Sequence, residues 1–214
     1  MILQEDKAKY TAIMNRSAEP SGYATALAFL SGCLKKYHNK NCIILLDEYD
    51  VPLETAYFRG FYDQMADFIR SLFESALKTN DNLEFAVITG CLRISRESIF
   101  TGLNNLEVNS VLNDNFADYF GFTQQEVKAM LDFYGIKEKL AEAKHWYDGY
   151  LFGNKEVYNP WSVINYVKTA VTNTVAFPKP YWSNTSSNTI VRELVESADE
   201  RVKVEIEKLI AGET

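Results

Sequence analysis

The stretch Cys42-Ile-Ile-Leu-Leu-Asp-Glu-Tyr-Asp50 decides the fold. Its first five residues form an apolar run of strand length, preceded by the polar cluster His38-Asn-Lys-Asn41 and followed by three carboxylates within four residues. A continuous apolar run suits a parallel strand covered on both faces, because a strand with one wet face alternates instead. Downstream, Phe61, Met65, Phe68, Ile69, Leu72, Phe73 and Ala76 trace one face of a helix that ends near Lys78-Thr-Asn-Asp-Asn82. Glu84-Phe-Ala-Val-Ile-Thr89 then reads as a second buried strand. Strand, helix, strand at this spacing is a crossover unit. It places the chain in the α/β class, with a parallel sheet and helices packed on its faces. Val108 to Leu112 is a weaker third strand candidate.

Working outward, Ser21 after Pro20 can cap a helix whose apolar side falls at Tyr23, Leu27, Leu30, Leu34 and Tyr37. The character changes after Phe122. Thr123-Gln-Gln-Glu126 is a capping box opening a helix to Tyr134, with Gly135 as its stop. Asn159-Pro160 starts another, with Asn159 as cap and Pro160 in the first helical position. Residues 187–197 and 200–210 also read as helical. The expected organisation is therefore a core over 1–122 and a helical subdomain over 123–214.

The composition fits a folded, acidic chain. Of 214 residues, 22 are Lys or Arg and 29 Asp or Glu, for a net charge of −7. Hydrophobic residues make up 47% and aromatic ones 14%, enough for a buried core and too many for a disordered chain. Binding to duplex nucleic acid needs clustered Lys and Arg, and no such cluster stands out. Cys33, Cys42 and Cys91 lack metal-ligand spacing and read as small buried hydrophobes. With no secretory leader pattern and no apolar run near the ~20 residues of a membrane span, the expected compartment is the cytoplasm.

Asp47, Glu48 and Asp50 are the sharpest chemical feature. Carboxylates at the carboxyl end of a parallel strand lie in the crevice where such sheets bind ligands. In nucleoside triphosphatases this is the Walker B element: the Asp helps to hold Mg²⁺, usually through water, and a following Glu orients the attacking water. An acidic turn that only solvates its loop fits the same residues. The second strand ends in Thr89, whose position beside Walker B suits a phosphate sensor, and Arg93 and Arg96 follow it. Those two arginines equally suit ion pairs on a solvated loop. A divalent metal held by the three carboxylates for some other hydrolysis is a further alternative, though no His lies near in sequence.

Six segments occur in a fixed order: Leu46-Asp-Glu-Tyr-Asp-Val-Pro-Leu53, Thr89-Gly-Cys-Leu-Arg-Ile-Ser-Arg96 with its continuation to Leu106, Phe120-Gly-Phe-Thr123, Trp146-Tyr-Asp-Gly-Tyr-Leu-Phe-Gly153, Tyr158-Asn-Pro-Trp-Ser162 and Tyr181-Trp-Ser-Asn-Thr-Ser186. Together they resemble the predicted AAA-ATPase-like family, bacterial relatives of the STAND group of P-loop ATPases whose members often carry a PD-(D/E)XK nuclease-like domain. The resemblance implies ATP and Mg²⁺ as cofactors, Asp47 as metal residue, and Asp47 and Glu48 as the catalytic Walker B pair. It also implies Thr89 at the sensor position, Arg93 and Arg96 as candidate phosphate contacts, and a helical or winged-helix-like lid over about 123–170.

The sequence departs from that family in one decisive respect. No Gly-x-x-x-x-Gly-Lys-Ser/Thr stretch occurs in it, and no Gly-Lys pair precedes Asp47. The P-loop amides, Lys and Ser/Thr supply the phosphate cradle and a Mg²⁺ ligand. The expectation is therefore a partial P-loop NTPase-type sheet, a window onto a longer ATPase, that alone neither hydrolyses ATP nor binds it tightly and needs no cofactor of its own. The missing strand would leave a sheet edge unpaired, inviting self-association. The rival reading is an interaction or regulatory module derived from an ATPase.

Overall fold

The computed structural model describes residues 4–91, 99–100, 102–103, 106–173, 175–182 and 195–211. The chain divides into two compact units, residues 1–106 and 107–214. Arg93 and Arg96 lie outside the described residues, as does most of the helix expected over 187–197.

In the first unit, α1 (Gln4–Met14), α2 (Pro20–Ala24) and α3 (Ala26–His38) precede β1 (Cys42–Leu46). Then come α4 (Val51–Arg59), α5 (Tyr62–Phe73) with a π-helical turn at Glu74–Lys78, and β2 (Leu83–Ile88). The expected crossover is present: β1 and β2 pair in parallel, with Ile43 opposite Phe85 and Leu46 opposite Ile88. The amphipathic α5 buries Ala66, Ile69 and Phe73, which join Leu53 of α4 and Ile99 in one core. Leu46, Tyr49 and Ile88 pack against that core from the sheet.

Three expectations fail in this unit. The strands are covered on one face only: Ile43 and Leu45 are 63% and 72% exposed, Phe85 61% and Val87 41%. Helices back the side of Leu46 and Ile88, and among the described residues nothing covers the other. The helix expected from Ser21 begins at Pro20 with Glu19 in the cap position and breaks at Thr25, whose hydroxyl donates back to the Ser21 carbonyl at 2.9 Å. Its stripe is not all core either, since Leu30, Leu34 and Tyr37 are exposed. Finally, Cys91 is exposed, while Cys33 and Cys42 are half-buried; all three are free thiols.

In the second unit, α6 (Gln124–Phe133), α7 (Leu140–Tyr147) and α8 (Pro160–Thr172) enclose a core of Val127, Leu131, Ala143, Tyr147, Tyr158, Val163 and Tyr166. α9 (Glu200–Ile210) follows. The capping box forms as read: the Thr123 hydroxyl accepts from the Glu126 amide at 3.3 Å, and the Glu126 carboxylate accepts from the Thr123 amide at 2.8 Å. That bond, with a second from the Thr123 hydroxyl, holds the Glu126 carboxyl below its usual range. Asn159 caps α8 through the Ser162 amide at 2.9 Å, with Pro160 in the first turn.

A β-hairpin stands where only lid helices and turns were expected, β3 (Asp148–Phe152) paired antiparallel to β4 (Lys155–Tyr158). Gly153 turns it at φ +54°, where a Cβ would meet the Asn113 backbone at 2.8 Å. Residues 108–112 are not a strand. The Asn113 side chain accepts from the Ser110 amide at 2.8 Å and the Ser110 hydroxyl from the Leu112 amide at 3.2 Å, so local turns take the donors a ladder would need. Among the described residues no helix is long and apolar enough to cross a membrane.

The tyrosines of this core make stability sensitive to alkali. The Tyr147 hydroxyl donates to the Lys179 carbonyl and accepts from the Lys179 amide, each at 3.1 Å, and burial pushes its phenol up to about 12. Burial, with the Glu142 carboxylate beside it, pushes Tyr166 upward as well. A phenol raised in the folded state keeps its proton where the unfolded chain has lost it, so its contribution is full below about pH 10 and drains as pH rises toward 12. The urea midpoint of the second unit should fall across that window, less steeply in Tyr147→Phe. A midpoint as flat at pH 11.5 as at pH 8 would refute this.

Candidate functional site

The site is built where β1 and β2 end side by side. The Thr89 amide donates to the Leu46 carbonyl at 2.8 Å, and the Tyr49 amide to the Thr89 carbonyl at 2.9 Å, so the parallel ladder carries on past the last strand residues. The Thr89 side chain completes the junction. Its hydroxyl donates to Oδ1 of Asp47 in a short hydrogen bond and accepts from the Glu48 amide at 3.2 Å. Of the sequence-predicted residues, the structure thus joins Asp47, Glu48 and Thr89 in one network.

Glu48 has φ +55°, the left-handed region that a non-glycine residue enters at a cost on the order of 1 kcal/mol. The left-handed step turns the chain sharply into α4, with the Val51 amide bonded to the Glu48 carbonyl at 3.2 Å. Asp47 and Glu48 remain exposed to solvent at this turn.

Asp50 differs from its two neighbours. It is only 5% exposed, and its Oδ2 accepts from the Cys91 amide at 2.8 Å, fastening the turn after β1 to the turn after β2. Gly90 permits this closeness: a Cβ there would stand 2.4 Å from the Tyr49 ring, which packs edge-on against Phe73 and Phe100. Asp50 is therefore a structural tie rather than a third open ligand.

Cys91 borders the acid pair, which its sequence setting did not reveal. Burial and then the charges of Asp50, Glu48, Glu54 and Asp47 push its thiol up, keeping it protonated and a poor nucleophile at neutral pH. Among the described residues no group of three or more His, Cys, Asp or Glu is arranged to hold a metal. Among the described residues, what the site offers a cation is the Oδ2 oxygen of Asp47, with Glu48 adjacent. That donor set suits Mg²⁺, which keeps several waters and takes one or two carboxylates alongside substrate phosphates. Among the described residues it offers no cradle for a phosphate.

Comparison with known proteins bears on the strand that carries this site. Residues 1–100 match the AAA-ATPase-like family model, described as predicted AAA-ATPase. The match takes in β1, the acid pair and β2. A curated relative, an uncharacterized protein in the vnfD 5′ region of Azotobacter chroococcum mcd 1, is 28% identical over 160 residues. The alignment covers 72% of this chain and 28% of that protein. No solved structure matches the chain.

Proposed function

We propose that the first unit is the metal- and water-handling half of an AAA-ATPase-like nucleotide site. The observation that carries this reading is the Thr89 bridge. One hydroxyl orients Asp47 through Oδ1, leaving Oδ2 without a hydrogen bond among the described residues, and also fixes the Glu48 amide at the mouth of two parallel strands, where α/β sheets take ligands. In this reading Asp47 holds Mg²⁺ through water, Glu48 orients the attacking water and Thr89 keeps both in place. Arg93 and Arg96 are candidate contacts to the phosphate, and α6 to α8 take the part of the lid. The substrate of the parent family is ATP. Because the sequence has no Walker A lysine and no phosphate-binding glycine loop, this chain by itself does not retain the nucleotide.

The test is a cation titration followed by a nucleotide titration. Mn²⁺, read by electron paramagnetic resonance, should bind weakly, in the millimolar range expected of one carboxylate with water. Binding should vanish in Asp47→Asn, weaken in Thr89→Val and recover in Thr89→Ser, which restores the hydroxyl. ATP with Mg²⁺ should show no micromolar affinity by calorimetry. Mn²⁺ binding indifferent to Asp47→Asn would sink the metal assignment. Micromolar ATP binding would show that the chain holds phosphate by other means.

A further inference from the structure

We infer that the outer edge of β1 is the seam of a two-fold dimer, in which each copy brings Lys40 to the Asp47–Glu48 end of the other. The inference does not depend on the nucleotide reading. It starts from where the backbone groups of β1 point. The Cys42 amide and the Leu46 carbonyl are bonded toward β2, to Asn82 and Thr89 respectively. Along a strand these directions alternate, so the amides and carbonyls of Ile43 and Leu45 face the outer edge. Among the described residues no strand pairs with that edge.

The edge also lacks the usual protection. Cys42 to Leu46 contains no charge and no Pro, and the side chains of Ile43 and Leu45 are exposed. A second copy can pair with it antiparallel about a dyad through Ile44. This register sets Ile43 opposite Leu45 of the second copy, and those are the residues whose backbone groups have no ladder partner among the described residues. Ile44 then meets its own mate as a non-hydrogen-bonded pair, as an antiparallel ladder requires.

Charge selects this register. Past the strand ends the chain turns at Asn39 and at Glu48, and the register brings the Lys40 end of β1 in one copy against the Asp47–Glu48 end in the other, twice by symmetry. Among the described residues neither the Lys40 ammonium nor the Glu48 carboxylate has an ion pair. The outer edge of β2 has no such complement: Glu84 and Asp81 lie along it, and no Lys or Arg occurs from Thr79 to Cys91. Backbone pairing and the Ile43–Leu45 contacts supply the affinity, and the lysine–acid pairs fix orientation. The acid pair of each copy thus gains a cation that none of the described residues of its own chain supplies as an ion pair.

Sedimentation analysis of the full chain tests this. The expected result is a concentration-dependent monomer–dimer equilibrium. Lys40→Glu should weaken it roughly tenfold by setting like charges together twice, and the exchanged pair Lys40→Glu with Glu48→Lys should restore most of it. Ile43→Pro, which removes an amide with no role in the β1–β2 ladder, should leave a monomer. Leu45→Lys should do the same without a backbone constraint. A monomer at every concentration would overturn the proposal. So would a dimer indifferent to Lys40→Glu, or larger species that Leu45→Lys abolishes and Lys40→Glu does not, which would place the contact on the bare sheet face.

Discussion

Gly90→Ala is expected to destabilise the first unit by about 2 kcal/mol, the middle of the range for forcing atoms into a packed site. The added methyl would lie 2.4 and 2.6 Å from two carbons of the Tyr49 ring and 3.0 Å from Oδ1 of Asp50. The ring has little freedom to retreat, since Phe73 and Phe100 stand against it with centroids 6.4 and 5.1 Å away. Displacing Asp50 would strain its bond to the Cys91 amide as well. The effect should couple to the ring: in a Tyr49→Ala background, the further change Gly90→Ala should cost little, because the obstacle is gone. Urea unfolding followed by far-ultraviolet circular dichroism measures both steps, and additive losses would disprove the clash.

Leu131→Ala should cost the second unit more, about 2–5 kcal/mol. Leu131 is fully buried and belongs to the cluster formed by α6, α7, α8 and β4. Truncating it leaves a hole lined by side chains that helix and hairpin geometry hold in place. Leu131→Met keeps most of the volume and should cost less than about 1.5 kcal/mol. The measurement has a built-in reporter, because all three tryptophans, Trp146, Trp161 and Trp182, belong to residues 107–214. A shift in the tryptophan transition worth less than about 1 kcal/mol would mean that the site collapses around the smaller side chain.

The parts of this fold that could be read from sequence are those determined by neighbours along the chain. The capping box at Thr123 and Glu126, the Asn159-Pro160 start of α8 and the left-handed stop at Gly135 each depend on a few adjacent residues, and each is present. The crossover of β1, α5 and β2 was legible because a strand-length apolar run and a helical stripe differ in period. The bare face of the sheet was not legible. An apolar run says that a strand can be covered twice, while the second layer depends on residues far away or on another chain. The β3–β4 hairpin left one clue, Gly153-Asn154 between two short runs, which is a turn signal for two-residue hairpins. It was outweighed by the helical character around it.

At the site, the acid pair and its neighbouring threonine could be located by spacing from the two strands. Their mutual bonding could not, because Asp47 and Thr89 are 42 residues apart and meet only through the parallel register. Asp50 illustrates the same limit. In sequence it is a third carboxylate equal to the others, and only the fold shows it turned inward onto the Cys91 amide.

The left-handed backbone at Glu48 separates what the fold prefers from what the position holds. Glycine would occupy φ +55° without penalty, and asparagine nearly so. A sequence chosen for thermal endurance alone would carry one of those two at this turn. Position 48 is thus a point where greater robustness and loss of a carboxylate are the same substitution, so a hardened version of this protein is where that carboxylate would first disappear.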